Sequence, residues 1–479
     1  MRCVLIIPSW SPQEIFPSRT AWLQLNYWQP LGTLYVASSL IQAGHEVRFL
    51  NGALMTHRQI LDSVKVFKPD WVGIYATTFG WPKACRTALD IKRLSPDTFT
   101  CAGGPYPIAM QERCLSECRG FDAAVTGEGE ITVVELLERK GRGETLEGLE
   151  GVVFRDGEKL VKNPPRRLIS DLDGLAFPKR ELLGDANLYL PPPAMYKRKP
   201  VAVLLTSRGC NRKCIFCFQM DKERRSGIRY RSVENVLLEI EQCLKQGFKE
   251  IKFIDDTFAE DYERAMRLAR EIKARRLDFT WFASACVNQV DRDLLRAFRE
   301  AGCWAILFGV ESGVQKNLNT LRKGITLAQV REAVGWAKKA GLKVQTSFMI
   351  GIPGETYEEA LQTIRFAREL DPDVASFHAI VPFPGTELYD CAEKYGSISA
   401  QLTDFTYQGA AFVPHTMTRG QISELRQRAY RSFYSRPRFL ARRLWGLRKP
   451  KDLRLAIKSA QGLFWLWAKK ELLDMSRPG

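Results

Sequence analysis

The stretch Thr206-Ser207-Arg208-Gly209-Cys210-Asn211-Arg212-Lys213-Cys214-Ile215-Phe216-Cys217 holds three thiols within eight positions, at the spacing C-x3-C-x2-C. Thiolates are soft ligands that select zinc or iron–sulfur clusters. A tetrahedral zinc site asks for a fourth ligand at matching spacing. No histidine or further cysteine stands nearby, and Cys243 falls within a helical stretch. Three cysteines therefore suit a cubane cluster with one iron left open for substrate or cofactor. Twelve cysteines in 479 residues are too sparse for a disulfide scaffold. A reduced, intracellular protein is expected.

The elements that must position this loop follow a clear rhythm. Strands are predicted at 201–207, 250–255, 279–285, 305–311, 343–350 and 375–381, each separated from the next by an amphipathic helix. Six strand–helix repeats without a hairpin predict a partial (β/α)6 barrel over 196–420. Its chemistry should gather at the carboxyl ends of the strands. An earlier alternation, with strands at 3–8, 46–50, 71–78, 99–104 and 122–126, predicts a doubly wound α/β domain over 1–148. Two of its strand ends are glycine-rich, at Gly103-Gly104-Pro105 and Gly127-Glu128-Gly129-Glu130. Glycine there either makes a tight turn or lets a ligand approach the backbone. Residues 149–195, with a hairpin about Asp156-Gly157 and several prolines, read as a connecting segment.

The cysteine loop resembles that of the radical S-adenosylmethionine (SAM) enzymes, in which three cysteines hold a 4Fe–4S cluster and the fourth iron is chelated by SAM. The resemblance continues along the barrel. Asp255 and Asp256 end the second strand, and Glu311 ends the fourth, where the family places a carboxylate near the adenosyl group. Gly351-Ile352-Pro353-Gly354-Glu355 ends the fifth, where backbone groups meet adenine. Phe216 stands where the family often packs an aromatic ring on adenine. By this resemblance Cys210, Cys214 and Cys217 are the metal ligands, and Phe216, Asp255, Asp256, Glu311, Gly351 and Gly354 bind SAM.

The N-terminal domain resembles the cobalamin-binding domain fused in front of many such barrels, on the stretches 30–35, 44–47 and 69–74 and on the two glycine loops. Related proteins are the bacteriochlorophyllide methyltransferases, the hopanoid methylases and the anaerobic magnesium-protoporphyrin ester cyclase. The implied cobalamin contacts are Thr77, Thr78, Gly103, Gly104, Gly127, Glu128 and Gly129. Many cobalamin domains carry an Asp-x-His-x-x-Gly loop whose histidine ligates cobalt. His45, His57, His378 and His415 stand in no such setting, so methylcobalamin without a histidine lower ligand is expected. Cys3, Cys85, Cys101, Cys114 and Cys118 lack the spacing of the second cluster found in RNA methylthiotransferases and read as packing residues.

The resemblance implies a C-methyltransferase. An electron from a flavodoxin- or ferredoxin-type donor cleaves SAM to a 5′-deoxyadenosyl radical, which removes hydrogen from an unactivated carbon. Methylcobalamin, charged by a second SAM, then delivers the methyl group. An alternative keeps both cofactors and ends in cyclisation, oxidation or carbon–carbon coupling. Against a third reading, a non-catalytic cobalamin-binding protein, stands the complete cysteine loop.

Lys and Arg number 71 against 54 Asp and Glu, a formal charge of +17. Sixteen of the basic residues and four of the acidic ones lie from Arg419 onward, so this segment carries +12 and the rest of the chain only +5. That distribution argues against nucleic acid as a partner. Leu453, Ile457, Ala460, Phe464 and Trp467 form one helical stripe flanked by Arg454 and Lys458. A basic amphipathic tail over 421–479 either lies in a membrane interface or docks on the barrel. No eighteen-residue apolar run and no signal-peptide pattern is present. A cytoplasmic enzyme is expected, peripheral at the inner membrane face if the tail meets the membrane, with a hydrophobic substrate such as a tetrapyrrole or isoprenoid lipid.

Overall fold

A computed structural model describes residues 1–11, 14, 27–192, 195–221, 227–406 and 409–445. In the first domain, strands β1 (Arg2–Ile7), β2 (Glu46–Asn51), β3 (Trp71–Tyr75), β4 (Phe99–Gly103) and β5 (Ala123–Val125) are all parallel. Between them run helices α1 (Leu31–Gln42), α2 (His57–Phe67), α3 (Trp81–Leu94), α4 (Pro105–Met110) and α5 (Glu112–Glu117), and α6 (Gly129–Gly141) follows β5. Alternate residues of each strand face opposite layers, so both faces must be apolar. Val4, Ile6, Val72 and Ile74 pack on the α2–α3 side, while Cys3, Leu5, Trp71 and Cys101 pack on the α1–α6 side.

The hairpin of β6 (Val152–Asp156) and β7 (Lys159–Lys162) is not free-standing. It extends the first sheet in the order β2-β1-β3-β4-β5-β6-β7, with β6 antiparallel to β5. Gly157, at φ +57°, supplies the left-handed residue that the turn needs.

The barrel strands are β8 (Val201–Leu204), β11 (Glu250–Phe253), β12 (Thr280–Ala285), β13 (Cys303–Glu311), β14 (Lys343–Ile350) and β15 (Val374–Ala379). They are parallel and ordered β8-β11-β12-β13-β14-β15, leaving β8 and β15 as edges. A short antiparallel ladder, β9 (Ser207–Arg208) with β10 (Arg229–Tyr230), interrupts the first repeat. The outer helices are α7 (Val233–Lys245), α8 (Tyr262–Ala274), α9 (Arg292–Glu300), α10 (Gln315–Thr320), α11 (Leu327–Lys339) and α12 (Tyr357–Leu370). They pack on outward-facing Phe253, Trp281, Phe308, Phe348 and Phe377.

Both open edges are covered. Gln29 acts as an extra rung on β8, its Nε2 donating to the Val201 carbonyl at 2.9 Å and its Oε1 accepting from Val203 N at 3.0 Å. Beyond α13 (Glu387–Cys391) and the hairpin of β16 (Gly396–Ile398) and β17 (Phe412–Pro414), helix α14 (Arg419–Tyr434) lies against β15. Its Leu425, Ala429 and Phe433 are buried, and the Tyr434 hydroxyl donates to the Ala375 carbonyl at 2.8 Å. The first turns of the basic tail are thus part of the barrel wall, followed by α15 (Pro437–Trp445). The stripe from Leu453 to Trp467 lies outside the described residues. Among the described residues, no helix is long and apolar enough to cross a membrane.

Candidate functional site

The cysteine loop leaves β9 through Gly209, at φ +101°. A Cβ there would meet the Gly227 carbonyl at 2.7 Å, so glycine is required for the two stems of the loop to close. Cys210 is partly buried, Cys214 is buried and Cys217 is exposed. A hydrogen bond between the Cys214 and Cys217 thiols brings Cys214 down to about 7 and holds Cys217 above its ordinary value. Thiolate is the ligand form, so Cys214 stands nearest to it, while Cys217 would give up its proton only as a metal binds. Three thiols at this spacing on one loop are the donor set of a 4Fe–4S cluster, although among the described residues no three ligating side chains are already drawn together around a metal position.

Between the loop and the first domain lies a cavity of about 470 Å3. The first domain contributes Tyr75, Gly103, Gly104, Gly127, Glu128 and Gly129, and the barrel contributes Arg208, Gly209, Cys210, Ile254 and Asp256. Gly104, at φ +103°, has no room for a Cβ, which would stand 2.9 Å from the Ala76 carbonyl and the Tyr75 ring. Positions 103 and 127 have nothing within 4 Å of where a Cβ would be. The cavity reaches down to Leu5, Val36, Cys101, Val125 and Val133 of the α1–α6 layer, and to Trp71. Gly73 makes space for that ring, since a Cβ would come within 2.3 Å of it, and the buried Trp71 indole N–H has no partner. A bare backbone ledge above an apolar slot with one orphaned donor fits cobalamin, a planar macrocycle with a heteroaromatic tail.

The barrel strand ends carry the remaining predicted residues. Asp255 is buried, and its Oδ1 accepts from Thr206 N at 2.9 Å, Thr206 Oγ1 at 2.8 Å and Ser207 Oγ at 2.7 Å. It ties β8 to the segment after β11, beneath the cysteine loop, and does not line the cavity. Asp256 does line it, with a carboxyl raised by burial and by Asp255. Glu311 takes a left-handed φ of +50° and pairs with Lys323 at 2.9 Å. Burial alone would lower the Lys323 ammonium, yet Glu311 holds it above its ordinary value. Gly351 and Gly354 also take left-handed φ, +87° and +72°. The Glu355 carboxyl caps that turn, accepting from Gly351 N at 2.7 Å and Ile352 N at 3.3 Å, and burial pushes it up to about 8. Phe216 packs on the small core that contains Ile352, which joins the cysteine loop to this turn.

Two expectations need correction. Thr77 and Thr78 do not line the cavity. β3 ends at Tyr75, three residues short of the predicted 78; Thr77 Oγ1 accepts from Gly80 N at 3.1 Å as the chain turns into α3, and Thr78 is buried. Tyr75, Trp71 and Gly73 take that place. Glu128 lines the cavity, but its carboxylate is engaged by Arg208 at 2.8 Å, by Arg229 at 2.9 Å and by Ile169 N at 2.6 Å. It joins the two domains. Lys323 had no motif to betray it, whereas Arg208 stood inside the cysteine motif without a signal of its partner.

Two family models match the chain: the B12 binding domain over residues 25–137 and the radical SAM superfamily over residues 204–367. An uncharacterised methyltransferase of Pyrococcus horikoshii is 37% identical over 423 residues, covering 86% of this chain and 89% of the relative. The anaerobic magnesium-protoporphyrin IX monomethyl ester cyclase of Rubrivivax gelatinosus is 29% identical over 431 residues, with 86% and 75% covered. Among solved structures, the cobalamin-dependent SAM radical enzyme OxsB, with aqua-cobalamin and SAM bound, superposes with a TM-score of 0.74. It is 15% identical, with 97% of this chain and 72% of that one covered, and this likeness bears on the fold.

Proposed function

The chain belongs to the radical SAM enzymes that carry a B12-binding domain, and from that premise we propose that it is a cobalamin-dependent C-methyltransferase acting on an unactivated carbon. The observation that carries this reading is a cavity faced by both Cys210 and the glycine ledges of the first domain. When bound, the cluster with SAM supplies a 5′-deoxyadenosyl radical, and the corrin supplies a transferable methyl group. The chain's own residues divide the remaining work. Cys210, Cys214 and Cys217 would hold the cluster. The left-handed turn at Gly351 and Gly354, fixed by Glu355, and the Glu311–Lys323 pair would seat SAM. Gly103, Gly104, Gly127 and Gly129 would let the corrin lie on the backbone.

The substrate class that fits this reading is a tetrapyrrole or another hydrophobic molecule, and the likeness to the protoporphyrin ester cyclase supports it. The same likeness favours a second reading, ring closure without methyl transfer. A flavodoxin- or ferredoxin-type protein would deliver the electron, and the basic tail would supply any membrane contact. Incubating reduced, reconstituted enzyme with deuteriomethyl-SAM and an extract from cells lacking the gene separates the two readings. Methylation puts the labelled methyl group into one metabolite and yields S-adenosylhomocysteine with 5′-deoxyadenosine. Ring closure gives 5′-deoxyadenosine and an unlabelled product, and that outcome would remove the methyltransferase reading.

A further inference from the structure

The loop that carries all three cysteines is stapled to the opposite domain at both of its stems. Arg208 on β9 and Arg229 on β10 are cross-strand partners, and both guanidinium groups converge on the Glu128 carboxylate. Arg208 forks. Its Nη1 reaches Glu128 at 2.8 Å and its Nη2 reaches Glu130 at 2.6 Å, while its guanidinium carbon stands 5.2 Å from the centre of the Tyr35 ring of α1. Arg229 Nη1 also donates to the Ile169 carbonyl at 2.6 Å, tying in the connecting segment. The side chains of Glu128 and Glu130 are only 4% and 6% exposed, so these are desolvated, charge-assisted contacts rather than surface pairs.

The staple joins two loops that each face the cavity. Arg208 lies two residues before Cys210, and Glu128 lies between the ledge glycines Gly127 and Gly129. A shift of this junction moves the cysteine loop and the ledge relative to each other, because no other residue lies between Arg208 and Cys210 except Gly209. An ion pair that serves only stability has no need of such a place, and a bidentate guanidinium fixes orientation as well as distance.

We infer that Glu128, Glu130, Arg208 and Arg229 are positioning residues that set the separation and orientation of the cysteine loop against the corrin ledge. The inference rests on the two-cofactor reading given above. Its test uses the full chain, reconstituted with iron and sulfide and loaded with hydroxocobalamin, then reduced so that cluster and cob(II)alamin are both paramagnetic. The electron paramagnetic resonance spectrum then reads the spin–spin interaction between the two centres. Arg208→Lys keeps the charge and loses the fork; Glu130→Gln removes one arm only.

Both variants should bind iron and corrinoid in wild-type amounts. The defined splitting of the wild type should be lost in Arg208→Lys and altered to a smaller degree in Glu130→Gln. An unchanged splitting in both variants would overturn the inference, and so would failure of both to take up either cofactor, which would make the pair a folding contact. Wild-type protein that binds neither iron nor corrinoid would instead remove the two-cofactor reading itself.

Discussion

On the side of the first domain the cavity is faced by glycine backbone, apolar side chains, one unpartnered indole N–H and the carboxylates of Glu128 and Glu130, whose charge arginine already neutralises, whereas the barrel side presents the Cys210 thiol, Asp256 and arginine. The first wall works by shape. It leaves room and makes few polar demands, which suits a cofactor that arrives with its reactivity complete. The second wall works by charge, since a cluster has to be built on thiolates and SAM is itself charged. The Glu128 staple joins the two. Substitutions on one side should therefore spare the cofactor of the other.

The largest effect should come from the charged wall. Cys214→Ala removes one of the three thiols proposed to hold the cluster, so iron–sulfur absorbance should vanish and 5′-deoxyadenosine formation should fall on the order of 1,000-fold or more, because the group that carries the chemistry is lost. Hydroxocobalamin binding, followed by its visible spectrum, should change less than about twofold, within the scatter of a site that adds independently. Loss of corrinoid binding as well would break the contrast between the walls.

Next in size is a pH effect at Glu355. Its carboxyl is raised by burial from the ordinary 4.5 to about 8, so the native protein holds a proton that the unfolded chain releases above pH 4.5. Stability is fullest below that value and declines as the pH rises towards 8. Glu355→Gln keeps an acceptor for Gly351; its amide nitrogen takes the place of the oxygen that accepts from Asn317 Nδ2 at 3.1 Å, and Asn317 can meet it by turning over its amide to present the Oδ1 that has no partner. The variant should unfold in urea with a midpoint that no longer declines between pH 5 and 8. The swing removed is on the order of 4 kcal/mol, three pH units at about 1.4 kcal/mol each. An unchanged slope would assign the pH dependence to other groups.

Gly104→Val tests the shaped wall. With φ at +103° and the Ala76 carbonyl 2.9 Å from the new Cβ, strain should cost about 1–3 kcal/mol. Corrinoid affinity should drop on the order of tenfold, the equivalent of 1.4 kcal/mol. Iron content should remain at the wild-type level. The smallest effect belongs to Trp71→Phe, which keeps an aromatic floor and deletes the orphaned donor. Since a hydrogen bond contributes roughly 0.5–1.5 kcal/mol, cobalamin should bind about threefold to tenfold more weakly. Binding of cobinamide, which lacks the nucleotide tail, should not change. Equal loss for both ligands would place the indole N–H away from the tail.

Much of this architecture was legible in the sequence. β14 has the predicted bounds, 343–350, because a buried parallel strand is a compact apolar run between helices. The cysteine spacing and the Gly351–Glu355 turn were readable for the same reason: their chemistry is local. What the sequence hid was long-range. The end of β3 at Tyr75 depends on hydrogen bonds from Ala76 N to the Gly103 carbonyl and from Tyr106 N to the Ala76 carbonyl, and those place Thr77 and Thr78 outside the cavity. Glu128 sits in a motif that suggests a ligand, yet its partners lie about 80 and 101 residues away. Lys323 meets Glu311 only because the chain loops back after α10. No periodicity reports such pairs.

The central claim is that a cluster and SAM site at the barrel strand ends and a corrin site on the glycine ledge meet at one cavity, through Cys210 and Asp256. It is tested most directly by quantifying S-adenosylhomocysteine and 5′-deoxyadenosine formed from SAM by reduced, cluster-loaded enzyme with and without cobalamin. The account predicts 5′-deoxyadenosine in both samples and S-adenosylhomocysteine only when cobalamin is bound. S-adenosylhomocysteine formed equally without cobalamin, or absent when both cofactors are loaded, would contradict it.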